Sequence, residues 1–145
     1  MKKILCFILV LMTGVCIFTS CNFTSNLSGA AAGTAESTPL VKEMMTFLAE
    51  ENAANAKLLL HPKAPKNASE GLEQMEEYLD GRTCDIEMIS INVQTSTGTA
   101  GKVRQEQVGY KVTLNDGQTV YLNTIYLKDN DNAGFISFQM ILGVI

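Results

Sequence analysis

Apolar residues recur along this chain with two periods, helical in the first half and alternating in the second. Leu40, Val41, Met44, Met45, Phe47 and Leu48 fall at helical spacing, so this stretch is expected to commit one face to a core. Thr38-Pro39 in front of it offers a hydroxyl for the N-cap and a proline for the first helical position. The pattern weakens at Glu50-Glu51, Asn52 and Asn55, which predicts a break and then a short helix carrying Leu58, Leu59 and Leu60. His61-Pro62 ends it, because proline disfavours a helical conformation in the residue before it. A second stripe, Leu72, Met75, Tyr78 and Leu79, follows Asn67-Ala68-Ser69-Glu70, which has the layout of a capping box, and Gly81 is placed to end that helix.

From Cys84 onward the period is two. Ile86 and Met88 point one way, and Ile89, Ile91 and Val93 take the opposite parity, which predicts a bulge and a bend in the sheet. After a loop at residues 96–101, Val108, Tyr110, Val112 and Leu114 alternate up to Asn115-Asp116-Gly117, a strong hairpin signal. A two-residue loop and a three-residue loop with Gly117 in a bulge pair different sets of residues, so the register stays open. Residues 119–128 are apolar at both parities and are expected to form a central strand covered on both sides. A polar turn at residues 129–134 leads into a last alternation of Ile136, Phe138, Met140 and Leu142. Helices first and antiparallel strands afterwards predict an α+β domain, with N-terminal helices packed on a curved sheet of about four strands.

Residues 1–20 depart from both patterns. Met1-Lys2-Lys3 precedes an apolar run over residues 4–18, shorter than the ~20 residues that span a bilayer, and no basic stop-transfer cluster follows. That is the layout of an export signal. The stretch Phe18-Thr19-Ser20-Cys21 resembles the lipobox of bacterial lipoproteins, which implies that Cys21 is acylated and becomes the mature N-terminus. Residues 22–37 are mostly Asn, Ser, Thr, Gly and Ala and read as a flexible tether with a reach of roughly 20–25 Å. The expected organisation is thus a lipoprotein signal peptide at 1–20, a lipidated cysteine and tether at 21–37, and one domain at 38–145. The expected location is the outer face of the bacterial cell membrane.

Loss of the signal removes two of the eleven basic residues and none of the fifteen acidic ones, moving the net charge from −4 to −6. An acidic domain without a basic tract offers little to a phosphate backbone, so nucleic acid is excluded as a partner. The same charge leaves the lipid on Cys21 as the expected membrane contact. Of the four cysteines, Cys6 and Cys16 belong to the signal and Cys21 to the anchor, so Cys84 stands alone in the domain and is expected to be a small buried hydrophobe. His61, the single histidine, is expected at a solvent-exposed helix end. Glu70, Glu73, Glu76 and Glu77 lie off the apolar stripe and read as a solvated helix face. Neither a cofactor nor a resident metal is expected.

The element order, the run Tyr110-Lys-Val-Thr-Leu-Asn-Asp-Gly117 and the closing strand Gly134-Phe-Ile-Ser-Phe-Gln-Met140 resemble the nuclear transport factor two-like superfamily of cone-shaped domains. The resemblance covers about residues 39–142 and extends to small exported lipoproteins of Gram-positive bacteria with this layout. It implies a concave sheet face, here lined by Val108, Tyr110, Val112, Phe138 and Met140, and a homodimer formed through the sheet, as in many of its members. No acid, tyrosine or histidine motif of the superfamily's enzymes matches residue by residue, so no catalytic residue is expected. The leading expectation is a binding or protein-interaction module for an apolar ligand or a partner segment, because the strands are poor in titratable groups. A self-associating envelope component is the second reading. A small isomerase or hydrolase is the third, pairing some of Asp85, Glu87, Tyr110, Tyr126 and His61 around a buried, shifted carboxylate.

Overall fold

The apolar stripe at residues 40–48 folds as the first helix, α1 (Thr38–Ala49), with Val41, Met44, Met45 and Leu48 buried. The computed structural model describes residues 35–142, so the signal, Cys21 and the tether up to residue 34 lie outside the described residues. The N-cap is Ser37, one residue before the expected Thr38, and its side chain caps nothing. Its backbone is already helical, because Thr38 N–H donates to Ala35 C=O in a preceding turn, and the Thr38 hydroxyl instead meets Tyr110 Oη at 3.1 Å. At the other end Glu51 takes a left-handed φ of 57°, and Asn52 N–H reaches back to Phe47 C=O, a closing pattern that ends the helix at the expected break.

Helix α2 (Ala53–Lys57) is shorter than its pattern suggests. Leu58 is 80% exposed, and the chain beyond it extends and joins the sheet, with Leu60 bridging Phe135 in parallel. Gly134 permits that approach, since a Cβ there would lie 2.5 Å from the His61 backbone nitrogen. Helix α3 (Ala68–Leu79) buries Gly71, Leu72, Met75 and Leu79. Its expected capping box does not form: Ala68 N–H donates to Pro65 C=O, a turn that leaves Asn67 helical and its side chain away from the cap. Asp80 and Gly81, both at positive φ, close it. The glutamate face partly binds α2, since Glu73 pairs with Lys57 and Glu76 accepts from Ala53 N–H at 2.6 Å.

Four strands follow, β1 (Cys84–Gly98), β2 (Gly101–Leu114), β3 (Thr119–Lys128) and β4 (Ala133–Leu142), in one antiparallel sheet of order β1-β2-β3-β4. The architecture is α+β, helices on one side of a curved sheet. The loop expected at 96–101 is only Thr99-Ala100, with both strands running up to it. The hairpin at Asn115-Asp116-Gly117 takes the three-residue form: Gly117 N–H donates to Leu114 C=O, Gly117 has φ 88°, and Thr113 faces Thr119. The predicted bulge lies between Met88 and Ser90 and leaves Ile89 54% exposed. A second bulge, which alternation alone conceals, falls where Ile125 faces Ser137 and Tyr126 faces Phe135, making Ile136 the extra residue. Each bulge adds bend to the sheet.

Register assembles the helix-facing side of the sheet from cross-strand rows. Met88, Tyr110, Leu122 and Met140 form one, and Ile86, Val112, Val120 and Leu142 the next. β3 is interior to the sheet as expected, but its far side is open at Tyr121, which is 39% exposed and sits opposite Ile141. Among the described residues no helix is long and apolar enough to cross a membrane.

Candidate functional site

The five residues expected to line a concavity sit at the centre of the core. Val108, Tyr110 and Val112 are fully buried, Phe138 is nearly so, and Met140 packs half-buried against them. Buried residues of α1 and α3 belong to the same cluster, so helix side chains fill the bowl over β2 and β3. These five residues are absent from the lining of the cleft described next.

That cleft, of about 340 Å³, opens between the C-terminal half of α1 and the start of β1. Its apolar lining is Met45, Ala49, Cys84 and Ile86, with Thr46 and Thr83 beside them. Lys42, Glu50 and Asp85 supply charge, and none of the three is in an ion pair among the described residues. On the strand side Cys84 and Ile86 line the cleft, both half-buried against the core on the edge strand β1. Cys84, expected to be buried, is half-buried on this wall, and desolvation, followed by the Asp85 charge, pushes its thiol pKa up. A raised thiol pKa lowers the thiolate fraction that does nucleophilic work.

The buried carboxylate that enzyme chemistry would require is present, at Glu106 on β2. It faces the helices between Val93 and Tyr126, and its acceptor sites are occupied. Oε1 accepts from Arg104 Nε at 3.0 Å, from Arg104 Nη2 at 2.7 Å and from Glu36 N–H at 3.1 Å, while Oε2 accepts from Ser37 N–H at 3.0 Å. Burial pushes its pKa up, but the bonds from Ser37, Arg104 and Glu36 together outweigh burial and hold it below the ordinary value. A carboxylate so engaged is a poor proton acceptor. Tyr110 beside it is shifted up, chiefly by desolvation.

His61 is buried, not exposed, because the extended segment that carries it is trapped against β4. Its Nδ1 accepts from Lys63 N–H at 3.0 Å, and Nε2 lies 3.3 Å from Asp129 Oδ2 without the alignment of a hydrogen bond. Asp129 in turn accepts from Asn132 and Asp131 N–H groups, which hold its carboxyl down to about 2. The polar turn at 129–134 is therefore organised by an aspartate that bonds its own loop. Asp85 and Glu87 are exposed, and among the described residues no hydrogen bond or ion pair joins any two of Asp85, Glu87, Tyr110, Tyr126 and His61. No group of three or more His, Cys, Asp or Glu among the described residues is arranged to hold a metal ion.

Sequence reasoning missed Glu106 and Arg82. Glu106 continues the parity of Val108, Tyr110 and Val112, a signal hidden by its glutamine neighbours. Arg82 joins the end of α3 to the hairpin, donating to Leu79 C=O at 2.9 Å and to Asp116 Oδ2 at 2.7 Å while lying over the Tyr78 ring. No family model and no curated protein matches the chain.

Proposed function

We propose that the chain is a lipid-tethered extracytoplasmic interaction domain that receives a small, largely apolar ligand or a partner side chain in the cleft between α1 and β1. Cys21 carries the lipid, and residues 22–37 set the domain clear of the outer membrane face. The observation that carries the binding half is the apolar wall of Ala49 and Ile86, half-buried over the buried Met45, beside charged groups that lack ion-pair partners among the described residues. Clefts that bind combine such walls with a few polar groups that orient the occupant. The locked state of Glu106 supports this reading over a pocket enzyme, since general-base work needs a carboxylate free to take a proton.

Two measurements test the two halves separately. Cys21→Ala is expected to abolish metabolic fatty-acid labelling and to release the protein from the membrane fraction; undiminished label contradicts the anchor. A fragment screen followed by amide shifts is expected to place binders at Met45, Ala49, Cys84 and Ile86, and Ala49→Trp, which fills the cleft, is expected to remove them. Binders that map elsewhere, or that survive Ala49→Trp, contradict the site.

A further inference from the structure

The Glu106 carboxylate has a role that binding in the cleft does not use. Helix α1 has no side-chain cap of its own, and besides Arg104 the groups that Glu106 bonds are the backbone N–H groups of Glu36 and Ser37, at the helix entrance. Residue 106 thus caps from nearly seventy residues away in sequence. An anion at a helix N-terminus is favoured by the dipole and by the unpaired N–H groups there. A second clasp lies alongside: Lys128 Nζ on β3 donates to Glu36 Oε2 at 2.8 Å. A third is the bond between Thr38 Oγ1 and Tyr110 Oη. All three hold the same short segment, residues 36–38, to the sheet. Glu106 is the clasp buried from water, whereas Lys128 and Glu36 are exposed.

We propose that Glu106 is an acid-released latch: ionised, it holds residues 36–37 and the root of α1 against β2 and β3, and protonated, it lets them go while the core beneath stays folded. The groups facing it are Arg104 and Tyr110 on β2, Tyr126 and Lys128 on β3, and Glu36 on the latched segment. Arg104 and Lys128 favour the carboxylate. Glu36 opposes it, but is itself paired with Lys128. A protonated carboxyl loses the ion pair with Arg104 and turns one acceptor oxygen into a donor that faces backbone donors.

The direction of the pH effect follows from the depressed pKa of Glu106 in the folded state. A carboxyl held below its unfolded value contributes stability that is complete above the ordinary glutamate range and is lost as pH falls through the folded value. The latch is therefore closed at neutral pH and opens in acid, below the range in which an ordinary glutamate titrates. Its consequence for how the domain hangs from a membrane rests on the tether reading above; the latch itself does not.

The test is amide hydrogen exchange on the full chain, with each rate divided by that of an unstructured peptide at the same pH. At neutral pH the Glu36 and Ser37 amides are expected to be protected, and to lose roughly tenfold or more of that protection in an acid titration carried below the range of an ordinary glutamate, while the amides of Val112 and Leu122 keep theirs. Glu106→Gln is expected to show the low protection at every pH. Arg104→Lys, which keeps the charge and loses the two-pronged contact, is expected to move the release midpoint to higher pH. Two results overturn the proposal: residues 36–37 as protected in Glu106→Gln as in the parent, or loss of their protection only together with that of Val112 and Leu122. If Glu106→Gln does not fold, the acid series and the Arg104→Lys midpoint decide. Cys21→Ala is expected to leave all of these values unchanged, so failure of the anchor and failure of the latch are told apart.

Discussion

The helix-facing side of the sheet has two halves that differ in how completely they are covered. Over β2 and β3, Val108, Tyr110, Val112 and Leu122 have no exposed surface and share one buried cluster with side chains of α1 and α3. Over β1, Cys84, Ile86, Met88 and Ile91 face the same way but remain half-buried. Both halves have alternating apolar residues, and the difference follows their place in the sheet: β2 and β3 are flanked by strands on both sides, whereas β1 is an edge strand. The covered half holds the domain together, and the uncovered half leaves an apolar wall free for something else to cover.

That contrast sets an order of mutational effects. Tyr110→Ala, in the covered half, removes a fully buried ring and the hydroxyl contact with Thr38, and is expected to cost about 3–5 kcal/mol in a denaturant melt. Ile86→Ala, its counterpart in the uncovered half, deletes surface that water already reaches in part and is expected to cost about 1 kcal/mol, because only the buried fraction of its transfer free energy is lost. Equal costs for the two would erase the distinction between the halves. The smaller change carries the larger consequence for binding, since Ile86 lines the cleft and Tyr110 does not.

The covered half was the more legible in sequence. Helical stripes at residues 40–48 and 72–79 and the parity of β2 identify buried faces without knowledge of their neighbours, and the parity flip at Ile89 locates one bulge. The second bulge was illegible, because Phe135 and Ile136 are both apolar and the alternation of Ile136, Phe138 and Met140 runs on undisturbed. His61 could not be placed, since its burial depends on Gly134 admitting the backbone at residues 59–61, a contact between distant segments. Capping signals at Thr38 and Asn67 failed for a shared local reason: in each case a turn just before the helix leaves the residue at the N-cap already helical. The cleft was beyond reach altogether. It is lined jointly by the C-terminal half of α1 and the start of β1, two segments whose meeting neither pattern encodes.

Glu106 shows how the polar part of the covered half is tolerated. A buried charge is costly unless paired and hydrogen-bonded, and here four donor groups from Arg104, Glu36 and Ser37 surround it. The same bonds that make burial tolerable make the group unsuited to proton transfer, which separates a carboxylate that shapes a fold from one that performs chemistry.

Disulfide capture at Cys84 tests the central claim most directly, because this thiol sits on the wall of the cleft. The protein is equilibrated under mild reduction with a panel of small disulfides whose thiol halves are of graded apolar size, so that the Cys84 thiolate exchanges into a mixed disulfide and the other half leaves as a thiol, and occupancy of Cys84 is read by peptide mapping of the folded chain. The account predicts that a subset of apolar thiols is captured well above a small polar reference, and that Ala49→Trp reduces their capture to the level of that reference. Capture that fails to discriminate among the thiols, or that occurs only under conditions that unfold the domain, would contradict a binding cleft between α1 and β1.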